Sequence, residues 1–147
     1  MSSTFFTEPM SKSKNHWLLK TEPEEFSLDD LKRKMKEPWT GVRNYQARNF
    51  MREMKAGDLC FIYHTGEEKR VVGVGKVVGK PYPDKKEPEW TVVDIAFVKK
   101  FKHPITLAEV KGDPGLRDMV LVRAARLSVQ PIDKKHFDYV VALSSGK

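Results

Sequence analysis

Three consecutive apolar runs in the middle of the chain most constrain its fold, because each is too short for a long buried helix. The runs cover residues 59–64, 71–78 and 90–98, and they are rich in valine, isoleucine and aromatic side chains, which favour β-strands. Residues 65–68 predict a turn, and residues 80–88, rich in proline and charge, predict a loop. The pattern indicates three strands joined by irregular connections.

The segments before these strands predict a short strand and two helices. Residues 17–20 form the predicted strand. Ser27 opens a capping box, and Pro38 ends the helix that follows it. Asn44 caps a second helix, which stops at Gly57. The residues predicted to face inward are Leu28, Leu31 and Met35 in the first helix and Ala47, Phe50, Met51 and Met54 in the second.

The segments after them predict shorter elements. A capping box at Thr106 predicts a short helix after Pro104, and residues 113–115 predict a turn. Residues 127–130 predict a late strand, and Asp133 begins a final helix. Its inward residues are Phe137, Val140 and Val141. This order predicts a mixed α+β domain around a curled sheet or small barrel, because the steady strand–helix alternation of a doubly wound fold is missing.

Length and charge predict one domain with an acidic partner. The chain has 147 residues and a net charge of +7, which favours nucleic acid, although a merely basic soluble protein has the same composition. No apolar run approaches the roughly 18–20 residues of a membrane span, and the amino terminus lacks a secretion signal. The lone Cys60 suits a reducing compartment. We expect mobile tails at residues 1–14 and 144–147 around a domain at 15–143.

Several catalytic and metal-binding signatures are missing. The glycine-rich residues 73–79 have the wrong spacing for a dinucleotide loop, so we expect these glycines to permit a tight bend or a close backbone approach. The four histidines fall at no recognisable ligand spacing, and one cysteine adds no metal pair. No Gly-x-Ser-x-Gly elbow supports a serine hydrolase. We predict no cofactor and no metal.

The loop that leads into the second helix is the main candidate for ligand binding. Trp39 can stack on a planar ring, Gly41 gives the chain freedom, and Asn44 can hydrogen bond to a base edge. Arg43 beside a helix amino terminus can bind phosphate. Each residue also has a structural interpretation: Trp39 can plug the core, Arg43 can pair with an acid such as Asp58, and Asn44 can serve as a helix cap.

Further candidates lie at strand ends and in basic runs. Tyr63 and His64 close one predicted strand and can line the same cavity, or be ordinary strand residues. Trp90 begins another strand and can be core or ligand contact. Trp17 is predicted to be core, although it could line a pocket wall. A basic cluster can follow a phosphate backbone or form a solvated edge; it comprises Lys80, Lys85, Lys86, Lys99, Lys100 and Lys102.

Taken in order, these segments resemble the EVE domain, a small PUA-like domain of the thymocyte nuclear protein family and its bacterial relatives. The matching segments are residues 17–23, 27–31, 39–49, 55–58, 63–64 and 126–131. The resemblance extends over nearly the whole chain outside the tails. It implies a pseudo-barrel of five or six strands flanked by helices.

The resemblance also implies the ligand: a modified nucleobase in DNA or RNA, taken out of the stack into a pocket. The residues that it carries over are Lys20, Trp39, Gly41, Val42, Arg43, Asn44, Tyr63, His64, Trp90, Leu127, Ser128, Val129 and Gln130. Relatives often have serine after the tyrosine–histidine pair, whereas this chain has Thr65. The resemblance therefore does not determine the size of the pocket beside Thr65.

We expect a non-enzymatic module that binds DNA or RNA carrying a methylated or hydroxymethylated cytosine or a related base, as a monomer without membrane contact. It would lie in the cytoplasm of a bacterium or the nucleus of a eukaryote. The alternative is an amidohydrolase acting on an acylated pyrimidine nucleoside, as in some ASCH domains, through Lys20, Thr21 and Glu22. Neighbours on a strand point to opposite faces, so a third member would come from Glu67 or Asp94. A third possibility is an adaptor whose basic surface binds an acidic protein.

Overall fold

Strands and helices alternate irregularly in the computed structural model, which describes residues 15–146. The strands of this part of the chain are β1 (His16–Thr21), β2 (Lys36–Trp39), β3 (Leu59–His64), β4 (Arg70–Val77), β5 (Tyr82–Pro83), β6 (Thr91–Thr106) and β7 (Val129–Ile132). Its helices are α1 (Leu28–Lys34), α2 (Tyr45–Glu53), α3 (Leu107–Gly112), α4 (Val120–Arg123) and α5 (Lys134–Ser144). The tail predicted at residues 1–14 lies outside the described residues.

All seven strands belong to one curled sheet. Its order is β2-β6-β4-β3-β1-β7, and β5 pairs with β6. β1 and β3 are parallel, whereas the other neighbours are antiparallel. Parallel neighbours need a long crossover, and the chain between these two strands contains α1, β2 and α2. The predicted α+β class with a curled sheet is confirmed, with seven strands rather than five or six and with β2 and β7 as open edges.

Hydrophobic side chains pack on both faces of the sheet. Along β1, Trp17 and Leu19 belong to one buried cluster and Leu18 to the other, as the alternation of side chains along a strand requires. Helices α1 and α2 cover the first face, and α5 covers the second with Phe137 and Val140. Each fully buried side chain of this kind contributes about 1.5–3 kcal/mol.

The glycines of β4 bring neighbouring strands unusually close. A Cβ added at Gly73 would clash with the backbone oxygen of Lys99 and lie 2.6 Å from a methyl group of Leu28. The pairing with β6 shifts register on either side of Gly73, which bends the sheet. The predicted close backbone approach is therefore confirmed. A Cβ at Gly75 would lie 3.4 Å from Sγ of Cys60, a fully buried thiol whose pKa burial raises to about 12.

Two expectations about the end of α1 are wrong. Met35 has a positive φ of 68° and is 61% exposed, so it does not face inward. The chain reverses there and forms β2, which pairs with β6 and contains Pro38. Proline is tolerated because β2 is an edge strand, where a missing N–H need not interrupt a ladder on both sides.

Other elements differ from the sequence prediction in their limits. β6 does not end at residue 98 but continues to Thr106, where it pairs with Arg70 of β4. The late strand is displaced to Val129–Ile132, and the short helix α4 was not predicted. In α5, Val140 is fully buried, whereas Val141 is only partly buried.

Candidate functional site

A cleft of about 640 Å³ opens beside the segment that leads from β2 towards α2, and we call it the main cleft. Its walls come from the ends of β1 and β2, the start of the β1–α1 connection and Ser128. Its lining includes six of the residues proposed from the sequence: Lys20, Trp39, Gly41, Val42, Arg43 and Ser128. Its volume lies within the roughly 300–1,000 Å³ of ligand pockets.

The floor of the main cleft is apolar. Trp39 ends β2 and is 7% exposed, and its ring meets Phe26 edge-to-face with centroids 6.0 Å apart. Val42, also nearly buried, adds an aliphatic surface. Both belong to the core cluster under α1 and α2. Trp39 therefore serves the core and presents only a narrow part of its indole to the cleft.

Gly41 allows the chain to turn between β2 and α2. Its φ is +82°, a left-handed value that a glycine adopts without strain, and no atom lies within 4 Å of an added Cβ. The conformation of the backbone, rather than crowding, is what favours glycine here. The turn exposes the neighbouring Thr40 at the mouth of the cleft.

The opposite wall is formed by the end of β1. The ammonium group of Lys20 donates to the carbonyl oxygen of Ala125 and lies 5.6 Å from the ring centroid of Tyr63. Burial lowers the pKa of Lys20 below its usual range. The backbone N–H of Lys20 donates to Ser128 at 3.0 Å, which fastens the segment before β7 to this wall.

The neighbouring Thr21 and Glu22 contact different groups. The hydroxyl of Thr21 donates to the carbonyl oxygen of Phe26 at 2.7 Å, and Glu22 accepts from the hydroxyl of Thr65 at 3.3 Å. The three side chains of the amidohydrolase alternative are thus held by three separate partners. Their arrangement does not resemble a nucleophile, a base and an orienting group bonded to one another.

Arg43 occupies the rim of the main cleft. Its guanidinium donates to Glu87 at 2.9 Å, lies 3.9 Å from Asp84 and sits 5.4 Å from the ring of Trp90. The backbone N–H groups of Lys86 and Glu87 donate to the carboxylate of Asp84. These bonds, together with the charge of Arg43, hold the pKa of Asp84 below its usual range. The predicted pairing of Arg43 with an acidic residue is confirmed, although the partners are Glu87 and Asp84 rather than Asp58.

Asp58 has a different role in the interior. Its side chain is buried and accepts hydrogen bonds from Nε1 of Trp17 at 2.9 Å and from the backbone of Lys55 at 3.0 Å. These bonds place Trp17 in the core and join β1 to the turn before β3. Trp17 lines no part of the main cleft.

Asn44 and Trp90 do not line the main cleft. The side-chain oxygen of Asn44 accepts from the backbone N–H of Ala47 at 2.8 Å, which confirms it as the cap of α2. Trp90 stacks beneath Tyr45, with ring centroids 5.0 Å apart. Tyr45 is 61% exposed, and Arg48 lies 4.9 Å from its ring. This exposed aromatic and basic surface was not predicted from the sequence.

Tyr63 and His64 are also outside the main cleft. Tyr63 is 4% exposed and belongs to the core on the other face of the sheet. Nε2 of His64 accepts from the backbone N–H of Leu28 at 3.1 Å, so the proton of the neutral ring lies on Nδ1, which donates to Glu68 at 2.9 Å. His64 thereby anchors the start of α1.

Near β7, only Ser128 reaches the main cleft. Leu127 and Val129 are buried in the first core cluster. The buried Gln130 donates to the carbonyl oxygens of Ala124 and Leu127, which shapes the segment before β7. Phe26 and Glu37 line the cleft but were not singled out in the sequence, because each lies in a segment that predicts only a helix start or a helix end.

Within residues 15–146, no group of three histidine, cysteine or acidic side chains is placed to hold a metal ion. No helix among the same residues has the length and apolar character to cross a membrane.

Comparison with known proteins places this geometry in a family. The model of the EVE domain matches residues 15–143. Human thymocyte nuclear protein 1 is 39% identical over 166 residues, covering 88% of this chain and 73% of that protein. The crystal structure of human THYN1 protein in complex with 5-methylcytosine containing DNA has a TM-score of 0.83 at 37% identity, covering 91% of this chain and 99% of that chain.

Bacterial structures are equally similar. A protein of Agrobacterium tumefaciens is 41% identical with a TM-score of 0.84, covering 90% of this chain and 96% of that chain. An ASCH structure from Zymomonas mobilis is 13% identical with a TM-score of 0.55, covering 87% of this chain and 94% of that chain, which is a likeness of fold alone.

Proposed function

This chain belongs to the EVE domain family, and on that premise we propose that it binds DNA carrying a modified cytosine and holds the modified base in the main cleft. The observation that carries the proposal is the main cleft itself, which combines apolar side chains on its floor with Arg43 at its rim. A relative at 37% identity is bound to DNA containing 5-methylcytosine, which supports the same ligand class here.

The main cleft has ample room for one planar heterocycle, and its floor offers the ring apolar contacts. Extraction of a base from the stack costs a few kcal/mol, which the pocket must return through new contacts. Phe26, the accessible part of Trp39 and Val42 offer an apolar surface to the base. Aromatic contact of this kind gives roughly 1–3 kcal/mol per base. Because Trp39 is only 7% exposed, the base contacts the margin of the indole unless the loop opens.

The charges around the main cleft favour a neutral base inside and a phosphate at the rim. Its lining residues carry three basic groups, on Lys20, Lys34 and Arg43, and three acidic groups, on Glu22, Glu25 and Glu37. A carboxylate can accept from the exocyclic amino group of cytosine, and an arginine binds phosphate in a bidentate manner. The acidic groups would therefore accept hydrogen bonds from the edge of the base. Arg43 would exchange its contact with Glu87 for one with a phosphate of the DNA backbone.

Discrimination between marked and unmarked bases should be modest. One additional methyl group in an apolar pocket is worth about 1–3 kcal/mol, which is about 10- to 200-fold in affinity. The protein would accordingly prefer modified cytosine without excluding the unmodified base. No observation in the structure favours the amidohydrolase specifically, since Lys20, Thr21 and Glu22 are bonded to separate partners.

The test is a titration of labelled oligonucleotides that contain cytosine, 5-methylcytosine or 5-hydroxymethylcytosine, in DNA and in RNA. Thr40→Glu places a negative charge at the exposed mouth of the main cleft. We expect it to weaken binding of the preferred DNA by at least about tenfold, because it opposes a phosphate and narrows the entrance. Ala108→Glu is the matched control, since it adds the same charge on the exposed side of α3 outside the cleft. Equal affinity of Thr40→Glu and the control would reject the main cleft as the site, and a preference for RNA would reject DNA as the ligand.

A further inference from the structure

A second cleft of about 590 Å³ lies against the same loop, and we call it the side cleft. It shares Pro38, Thr40, Gly41 and Arg43 with the main cleft, so one short stretch of chain forms the wall between them. We infer that the side cleft receives the nucleotide next to the modified one on the same strand. This inference rests on the proposed function of the main cleft.

The walls of the side cleft offer a flat apolar surface for a base. Tyr82 is 37% exposed and belongs to β5, which pairs with β6 opposite Val92. Its hydroxyl donates to Asp94 at 2.6 Å, which fixes the ring at the surface. Pro38 and Val92 add aliphatic contacts. Stacking on an aromatic side chain tolerates any base, so this cleft would add affinity with little sequence preference.

The charges of the side cleft suit a nucleotide rather than an apolar peptide. Lys85 and Lys86 line it from the loop between β5 and β6. Asp84 accepts the backbone N–H groups of Lys86 and Glu87 at 2.8 and 3.2 Å, which fixes the turn that carries both lysines. With Arg43, three basic groups oppose the two acidic groups of Asp84 and Glu87.

Arg43 is the only cationic residue common to the two clefts among the described residues that line them. Adjacent nucleotides of one strand are joined by a single phosphate. A strand that places one base in each cleft would carry that phosphate across the shared wall, where Arg43 lies. The position of Arg43 therefore matches the connection between two nucleotides better than a contact to one isolated base.

The experiment compares the 5′-monophosphate of 5-methyldeoxycytidine with dinucleotides that add thymidine on its 5′ or its 3′ side. We expect at least one dinucleotide to bind the wild-type protein about tenfold more tightly than the mononucleotide. Tyr82→Ala should abolish most of this gain and leave the affinity for the mononucleotide unchanged. Tyr82→Phe keeps the ring and should keep the gain. Lys85→Ala combined with Lys86→Ala should reduce it, whereas Lys111→Ala, outside both clefts, should not.

Thermal unfolding of Tyr82→Ala checks that the variant remains folded, and Tyr82→Phe separates the ring from its hydrogen bond. If neither dinucleotide binds more tightly than the mononucleotide, or if Tyr82→Ala keeps the full gain, the side cleft does not receive the neighbouring nucleotide and the proposed function stands. If neither the mononucleotide nor a dinucleotide binds the wild-type protein, both proposals fall.

Discussion

At the rim of the main cleft, Arg43 donates to the carboxylate of Glu87 at 2.9 Å. Its basic side chain beside a helix start predicted an anion contact, and the structure provides an anion from within the chain, Glu87. Under the proposed function, a phosphate would take the place of this carboxylate. The internal acid would then compete with the ligand and set part of its apparent affinity.

Removal of that competing charge should tighten binding. We predict that Glu87→Gln raises the affinity for DNA by up to about fivefold, because an exposed ion pair is worth at most ~1 kcal/mol. Titration of the same labelled oligonucleotide measures the change. Glu89→Gln removes an equal charge two residues away without a side-chain contact to Arg43, and it should have a smaller effect. An identical gain from both variants would mean that only the overall charge matters.

Glu68 gives stability a dependence on pH. Its hydrogen bond from His64, followed by contacts with Arg70, lowers its pKa below the ordinary value of 4.5. A carboxyl group with a lowered pKa in the folded state stabilises the protein above its unfolded pKa, and this contribution is lost as the pH falls through the folded value.

We therefore predict that Glu68→Gln lowers the free energy of unfolding at neutral pH by less than about 1 kcal/mol, since the carboxylate is partly exposed and its ion pairs are screened. The difference from wild type should shrink as the pH falls below 4.5. Urea unfolding at a series of pH values measures it. A difference that persists unchanged in acid would assign the effect to packing rather than to charge.

At the scale of elements, strands with regular apolar patterns could be predicted, and those fixed by tertiary pairing could not. β3 and β4 follow apolar runs, and α2 follows its cap at Asn44. The second half of β6 contains Lys99, Lys100 and Lys102, which have no apolar periodicity. Its strand conformation comes from pairing with β4, which local sequence does not encode.

The candidate site, too, contains residues that the sequence could predict and residues that it could not. Residues of the Trp39–Arg43 loop lie together because they are neighbours in sequence, so a motif could identify them. Tyr63 and His64 were predicted to line a ligand cavity because they are aromatic and polar residues at a strand end. The same residue types suit the roles that they have in the structure, since Tyr63 packs in the core and His64 anchors the start of α1. The side cleft joins this loop to Tyr82 from a distant hairpin, and no local pattern predicts that contact.

Gly73 tests the bend of β4. We predict that Gly73→Ala lowers the free energy of unfolding by about 1–3 kcal/mol or more, because the added methyl group meets the rigid backbone of Lys99. Gly112→Ala is the control, since no atom lies within 4 Å of its added Cβ and its φ is not positive. Urea unfolding compares the two variants with wild type. A Gly73→Ala protein as stable as the control would show that β4 and β6 can separate at little cost.

At the scale of the whole molecule, the sheet separates two tasks. The ends of β1 and β2 and the loop between β2 and α2 line the main cleft, whereas α5 closes the core of the opposite face. The net charge of +7 acts over longer distances than any cleft and should attract nucleic acid of every sequence. Long-range attraction and base recognition can therefore be measured separately.

The dependence of binding on salt measures the first of these contributions. We predict that affinity falls between about 50 and 200 mM salt, and that Arg43→Ala reduces the slope of log affinity against log salt by about one, because one phosphate contact is lost. Lys111→Ala should leave the slope unchanged. A slope that Arg43→Ala does not alter would mean that Arg43 keeps its contact with Glu87 when DNA binds.

The buried thiol of Cys60 has a practical consequence. It is the single cysteine of the chain, it is fully enclosed in the sheet, and its pKa of about 12 leaves almost no reactive thiolate at neutral pH. Maleimide dyes should therefore not react with Cys60 in the native protein. Thr40→Cys would provide one labelling position at the mouth of the main cleft, so that a fluorophore reports entry of a nucleotide in real time without any cysteine having to be removed first.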